Sequence, residues 1–236
     1  MKEKCLVIIV AFDKDRDGVD ADIKAIQKTF STEFNTELDI MLNWNKEAII
    51  EKFNGFSDAS WRDKFRSIKF LAIFCLSHGH SDGQVVLKTE NEVTDARRLL
   101  LCPFFKIEEL DGKLKWLVVQ ACRGHMGDYQ PLPKDGKPMY FPDIHFISYC
   151  TGEGTVSFQK GEGGKIYIQS LCKELSKNIR NLSLCQMLEN VHTAVEEFGK
   201  TQQCVKFSRP DLKKNADDYW FYTPKEAPSQ PLGIGK

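Results

Sequence analysis

Apolar residues fall into two patterns along this chain, unbroken short runs and runs of helical period. Cys5 to Phe12 is continuous and apolar, the mark of a strand buried on both faces. A polar loop, Asp13 to Gly18, precedes Val19 to Phe34, where Val19, Ile23, Ile26, Phe30 and Phe34 recur at helical spacing. Glu37 to Leu42 reads as a short strand. Asn45 is placed to cap a helix carrying Ile49, Ile50 and Phe53 that ends before Gly55. Phe70 to Leu76 and Leu114 to Gln120 are two more continuous strands, and Ile144 to Cys150 is a further one. Lys165 to Asn178 returns to helical period, with Ile168, Leu171, Cys172 and Leu175 on one face. Ser183 is placed to cap a later helix with Met187, Leu188, Val191 and Val195. Tyr219 to Tyr222 reads as a short aromatic strand, and the Pro- and Gly-containing tail from Ala227 as unstructured.

Buried strands alternating with amphipathic helices predict an α/β domain. Its sheet is central, mostly parallel and about six-stranded, with helices on both faces. Ligands of such sheets sit at the carboxyl ends of the strands. His78 and Cys122 follow directly after two of the buried strands. Residues 125–143 break the pattern, with Pro131, Pro133, Pro138 and Pro142 and no hydrophobic period. A segment of that length is a functional loop or a linker, and an easy place for a protease to cut. The whole chain, 1–236, reads as one domain interrupted by this linker.

Composition narrows the classes. Hydrophobic residues at 42% and charged residues at 28% fit a folded globular chain. The 33 basic and 33 acidic side chains cancel, which argues against bulk binding to nucleic acid or an anionic membrane surface. The apolar runs are too short for a membrane span, and the start, Met1-Lys2-Glu3-Lys4, does not build a signal peptide. Of the eight cysteines, Cys5, Cys75 and Cys150 lie in strand-like runs, and Cys172 and Cys185 on helix-like stretches. Buried thiols belong in such places, and the expectation is a reducing compartment, the cytoplasm.

The residues after the strands carry the chemistry. A thiol is mostly protonated at neutral pH and becomes an effective nucleophile when a histidine takes its proton. Two strand ends of one parallel sheet can bring Cys122 and His78 together. Gly79 lets the backbone approach a substrate, and the N–H groups of Gly79 and Cys122 are placed to converge on an oxyanion. No metal or other cofactor is expected. His80 and His125 could suggest zinc with Cys122, but His78-Gly79-His80 is not a standard ligand spacing, and Gly161 to Lys165 lacks the arrangement of a phosphate loop.

The run Gln120-Ala121-Cys122-Arg123-Gly124 resembles the caspase nucleophile signature, and Leu76-Ser77-His78-Gly79 the family's histidine motif, 44 positions upstream. Arg16 to Ala21 is similar to the family's arginine loop. Tyr149-Cys150-Thr151, Gly154 to Phe158 and Ile168 to Cys172 are similar to its small-subunit opening. The resemblance runs from about Lys4 to Tyr222, and implies a short-prodomain member or an isolated catalytic unit. It implies a cysteine endopeptidase that cuts after aspartate, working in apoptosis or immune signalling. Cys122 would attack, His78 would transfer protons, and Gly79 would serve the oxyanion. Arg16, Gln120, Ser157, Phe158 and position 159 would bind substrate. The linker would divide a large part (about 1–128 or 1–135) from a small part (from 136 or 143 to 236), with Asp128 and Asp135 as processing sites. The partners implied are protein substrates, a second copy or another caspase in a dimer, and inhibitor proteins.

One position departs from the family. Gln159 stands where the pattern has a substrate-binding arginine. A lost charge-assisted hydrogen bond costs on the order of 1.5–3 kcal/mol. This opens an alternative of another class: a decoy or regulatory homologue with little activity that pairs with an active caspase and modulates it.

Overall fold

Four continuous apolar runs form the middle of the sheet. In the computed structural model they are β1 (Lys4–Ala11), β3 (Phe70–Leu76), β7 (Leu114–Gln120) and β8 (His145–Tyr149). With β2 (Asn35–Leu42) and β9 (Asp211–Lys214) they make a six-stranded sheet in the order β2-β1-β3-β7-β8-β9. Every pairing is parallel except β8 with β9. The structure describes residues 1–14, 16–79, 84–87, 92–123, 143–155, 157, 163–201 and 209–222.

The period-two alternation of these strands feeds two cores. Val7, Ile9, Phe74, Trp116 and Val118 face one side, where α1 (Val19–Glu33), α4 (Ile166–Asn178) and α5 (Leu184–Thr201) cover them. Leu6, Ile8, Ile73, Leu117 and Val119 face the other. There α2 (Lys46–Gly55), α3 (Ala59–Ser67) and a π-helical then 3₁₀-helical stretch from Arg97 to Leu110 close the layer. Both faces of a parallel sheet must be covered, and they are. Trp116 is fully buried, and its indole N–H donates to Ser148 Oγ at 2.9 Å.

The caps follow the sequence. Asn45 accepts from the Ala48 N–H at 2.9 Å to start α2. Ser183 Oγ accepts from the Gln186 N–H, while Gln186 Oε1 accepts from the Ser183 N–H, a reciprocal capping box that starts α5. A hairpin-like second sheet, β4 (His78–Gly79), β5 (Gln84–Leu87) and β6 (Glu92–Asp95), sits after β3.

The aromatic segment Tyr219 to Tyr222 is not a strand. Phe221 is fully buried, with its ring against Phe34, Phe70 and Trp116, so it plugs a core instead of extending the sheet. The edge strand is β9, whose Leu212 is its only apolar residue. Its place is set by the ladder to β8, with Phe146 opposite Lys214 and Tyr149 opposite Asp211.

Register aligns the strand ends. Ala11 pairs with Leu76, Leu76 with Gln120, and Val119 with Tyr149. The segments leaving β1, β3, β7 and β8 therefore emerge side by side. Among the described helices none is long and apolar enough to cross a membrane.

Candidate active site

Cys122 leaves β7 through Ala121 and is half-buried. The Ser157 N–H donates toward its sulfur at 3.5 Å, and the Ser157 hydroxyl lies 3.7 Å from it. Gly79 stands against the same peptide. A Cβ added there would fall 2.1 Å from the Cys122 carbonyl oxygen and 2.6 Å from Ala121 Cβ, so the approach needs glycine. The Ser77 N–H donates to the Gln120 carbonyl at 3.2 Å and fixes the two strand exits side by side.

His78 sits on this edge with Nε2 3.3 Å from the Lys14 carbonyl. The carbonyl can only accept, so in this contact Nε2 is the donor. That carbonyl was not legible as part of a site, because any residue supplies one.

Arg16 is buried although it leaves a polar loop. Its Nη2 donates to the Gln120 carbonyl at 3.4 Å and lies 3.8 Å from Asp22 Oδ2. Among the described residues its Nη1 has no hydrogen-bond partner, and neither amide atom of the buried Gln120 has one. Unpaired buried polar atoms are rare and call for a reason. Here a guanidinium edge and a carboxamide stand ready in one place. Burial pulls the Arg16 guanidinium below its ordinary value, opposed chiefly by Asp22. Burial also raises the Asp22 carboxyl, against the Lys165 N–H and Arg16.

The loop after β8 is tied to Cys122 through Arg123. Its N–H donates to Thr155 O at 2.9 Å, and its guanidinium bonds Thr151 O at 3.3 Å and Asp211 at 3.1 Å, and pairs with Glu153. It also lies over the Tyr149 ring at 4.2 Å. One buried cation thus joins the Cys122 segment, the loop of residues 150–155 and the edge strand. Cys150 is buried beneath this loop and donates to Ala121 O at 3.1 Å, and burial pushes its thiol up to about 12.

The structure thus gathers Cys122, His78, Gly79, Arg16, Gln120 and Ser157 at one sheet edge. Phe158, Gln159, Asp128 and Asp135 lie outside the described residues, as do His80, His125 and Cys204. Sequence reasoning passed over Asp22, Lys14 and the knitting role of Arg123. Asp22 did leave a signal: it lies on the apolar stripe of α1, between Val19 and Ile26.

Fold and site together define an α/β protein with a thiol and an imidazole at the carboxyl edge of a parallel sheet. The family model described as the caspase domain matches residues 2–217, and the chain belongs to the caspase family. It is 26% identical over 197 residues to caspase-3 of Bos taurus, covering 76% of this chain and 66% of that protein. It is 24% identical over 220 residues to caspase A of Caenorhabditis elegans, covering 77% and 37%. To caspase-8 of Mus musculus it is 27% identical over 181 residues, covering 69% and 36%. The chain therefore spans less than two thirds of the length of these relatives, and for two of them little more than a third.

Proposed function

We propose that the protein is a cysteine endopeptidase that cuts after aspartate, in apoptosis or immune signalling in the cytoplasm. The observation that carries this reading is the juxtaposition of Cys122, held by the Ser157 N–H and packed on Gly79, with the unpaired Arg16 and Gln120 groups. Cys122 attacks the scissile carbonyl, and the N–H groups of Gly79 and Cys122 receive the oxyanion. His78, oriented by the Lys14 carbonyl, takes the thiol proton, gives it to the leaving amine as the thioester forms, and then takes one from the water that cleaves that thioester. Arg16 and Gln120 bind the substrate's acidic side chain by charge-assisted hydrogen bonds. The chain processes itself after Asp128 or Asp135 into a large part and a small part, and dimerises along β9, one of the two ends of the strand order.

Peptides differing only in the residue before the cut test the reading. Turnover after aspartate that vanishes in Cys122→Ala is expected, with nicking of the purified chain in residues 125–143 that vanishes too. Turnover that survives Cys122→Ala sinks the assignment of the nucleophile.

Gln159 favours a second reading, a decoy that pairs with an active caspase. Such a protein stays uncut alone, gains turnover with Gln159→Arg, and changes a partner's activity even as Cys122→Ala.

A further inference from the structure

Arg16 already has a carboxylate. Asp22 is fully buried on the first turn of α1, with Oδ2 3.8 Å from Arg16 Nη2. Its Oδ1 accepts from the Lys165 N–H at 2.8 Å and from Gln169 Nε2 at 3.2 Å. The chain before α4 closes over it: at Gly164, where φ is +89°, an added Cβ would fall 2.5 Å from Oδ1. The carboxylate is therefore built in: two donors from residues 165–169 hold Oδ1, and Oδ2 faces Arg16 without a hydrogen bond among the described residues. Next to it stand the unpaired Arg16 Nη1 and the unpaired Oε1 and Nε2 of Gln120.

We propose that Asp22 is an internal counter-ion that sets the charge of the substrate pocket and so governs its discrimination between aspartate and asparagine at the cut. This rests on reading the Arg16 and Gln120 groups as that pocket. An entering aspartate brings a second carboxylate to one guanidinium. Two like charges roughly 5–6 Å apart, at an effective dielectric of about 20, weaken binding by about a hundredfold. Relaxation and proton uptake reduce this, and about tenfold remains. An entering asparagine brings no charge, and its amide matches the free acceptor and donor of Gln120. Asp22 thereby compresses the preference for aspartate without abolishing it. It acts through Arg16 and is a positioning residue.

The cleanest variant is Asp22→Asn. It keeps Oδ1 for Lys165 and Gln169, removes the charge facing Arg16 and puts an amide nitrogen in place of Oδ2. Binding is read by fluorescence anisotropy of labelled peptides with aspartate or asparagine before the cut site, on protein carrying Cys122→Ala so that no turnover is needed. The aspartate-to-asparagine affinity ratio is expected to be tenfold or less with Asp22 and to rise at least tenfold with Asp22→Asn. A ratio unchanged within twofold, in variants of unaltered thermal stability, overturns the counter-ion role and leaves the pocket reading standing. No binding of either peptide in either background overturns the pocket reading itself.

A pH series decides the matter without substituting residue 22. The carboxyl of Asp22 is faced by Arg16, by Lys165 ahead of α4 and by Cys172 on α4, while Cys75, Cys122 and Cys150 face Arg16. Cys75, Cys150 and Cys172 are pushed by burial to about 12, above the range used, and Cys122 is absent from the variant. A second carboxylate raises the Asp22 pKa further, so the complex takes up a proton. Affinity for the aspartate peptide relative to the asparagine peptide is expected to fall as pH rises between the Asp22 pKa of the free protein and that of the complex. A pH dependence of the opposite sign overturns the inference.

Discussion

Lys115 lies in the middle of a buried strand, and its side chain is fully shielded from solvent. Its ammonium donates to Leu110 O at 2.7 Å and Lys113 O at 3.3 Å, sits 5.2 Å from the centre of the Phe105 ring, and pairs with Asp143. Asp143 in turn accepts on Oδ1 from the Gly112 N–H at 3.1 Å and the Ile144 N–H at 2.7 Å. Its carbonyl takes His145 Nδ1 at 2.9 Å and Asn215 Nδ2 at 2.5 Å. Asp143 is where the described chain resumes after residues 124–142, so this cluster pins the strand that follows the linker. Lys115→Met removes the cation and leaves a mostly buried carboxylate facing two carbonyls. Removing one partner of a buried pair costs about 3–5 kcal/mol. At roughly 2–4 °C per kcal/mol for a chain of this size, the melting point falls by about 6–20 °C. Asp143→Asn keeps both Oδ1 bonds, and Lys115, already pulled below its ordinary value by burial, can shed its proton. That variant should lose less, about 1–3 kcal/mol. The double variant should be more stable than Lys115→Met alone by at least about 1 kcal/mol, since no orphaned charge remains. Urea unfolding followed by circular dichroism gives the full cycle. A loss under about 1 kcal/mol for Lys115→Met, with a coupling within about 0.5 kcal/mol of zero, would refute the claim that this pair anchors the strand. After a cut in the linker, the two pieces should also separate at lower urea in Lys115→Met than in the unsubstituted protein.

Two further outcomes follow from groups the fold shields or crowds. Burial, with Arg209 adding to it, lowers His192 to about 4, so the folded protein keeps it neutral while the unfolded chain protonates it near 6.5. Between those values the unfolded state binds more protons, and stability should fall with falling pH by up to roughly 3 kcal/mol. His192→Leu should flatten that slope in urea titrations from pH 7 to 4.5, and parallel curves for the two proteins would count against it. Gly79→Ala places a methyl against the Cys122 carbonyl oxygen and Ala121 Cβ. It should cost about 1–3 kcal/mol of stability and, by shifting the strand exits, about a hundredfold in peptide turnover. Near-normal turnover by a stable Gly79→Ala protein would mean the two exits need not touch.

What could be read from the chain divides by whether a residue's environment is set by its own neighbours in sequence. The four central strands were legible because burial on both faces writes itself as an unbroken apolar run, as in Phe70 to Leu76. β9 was not, since Asp211-Leu212-Lys213-Lys214 has no pattern of its own and becomes a strand only by pairing with β8. The same reason turned Tyr219 to Tyr222 into an expected strand: its aromatic spacing is that of a strand, but it is spent on plugging a core of Phe34, Phe70 and Trp116. Helix α3 was missed because Phe65 is the only residue it buries, too little to set a period. The site divides the same way. Cys122 and His78 stood out because the strands before them end there, whereas the Lys14 carbonyl carries no side-chain signal at all. Asp22 lies between these cases. An acid on the buried stripe of an amphipathic helix must find a cation or stay protonated, which makes Val19, Asp22, Ile23 and Ile26 a legible prediction of a buried partner. Naming Arg16 as that partner required the fold, because the loop before α1 carries both Lys14 and Arg16 and only the fold buries Arg16 beside Asp22. The buried charge is thus announced in the helix, and its partner appears only in three dimensions.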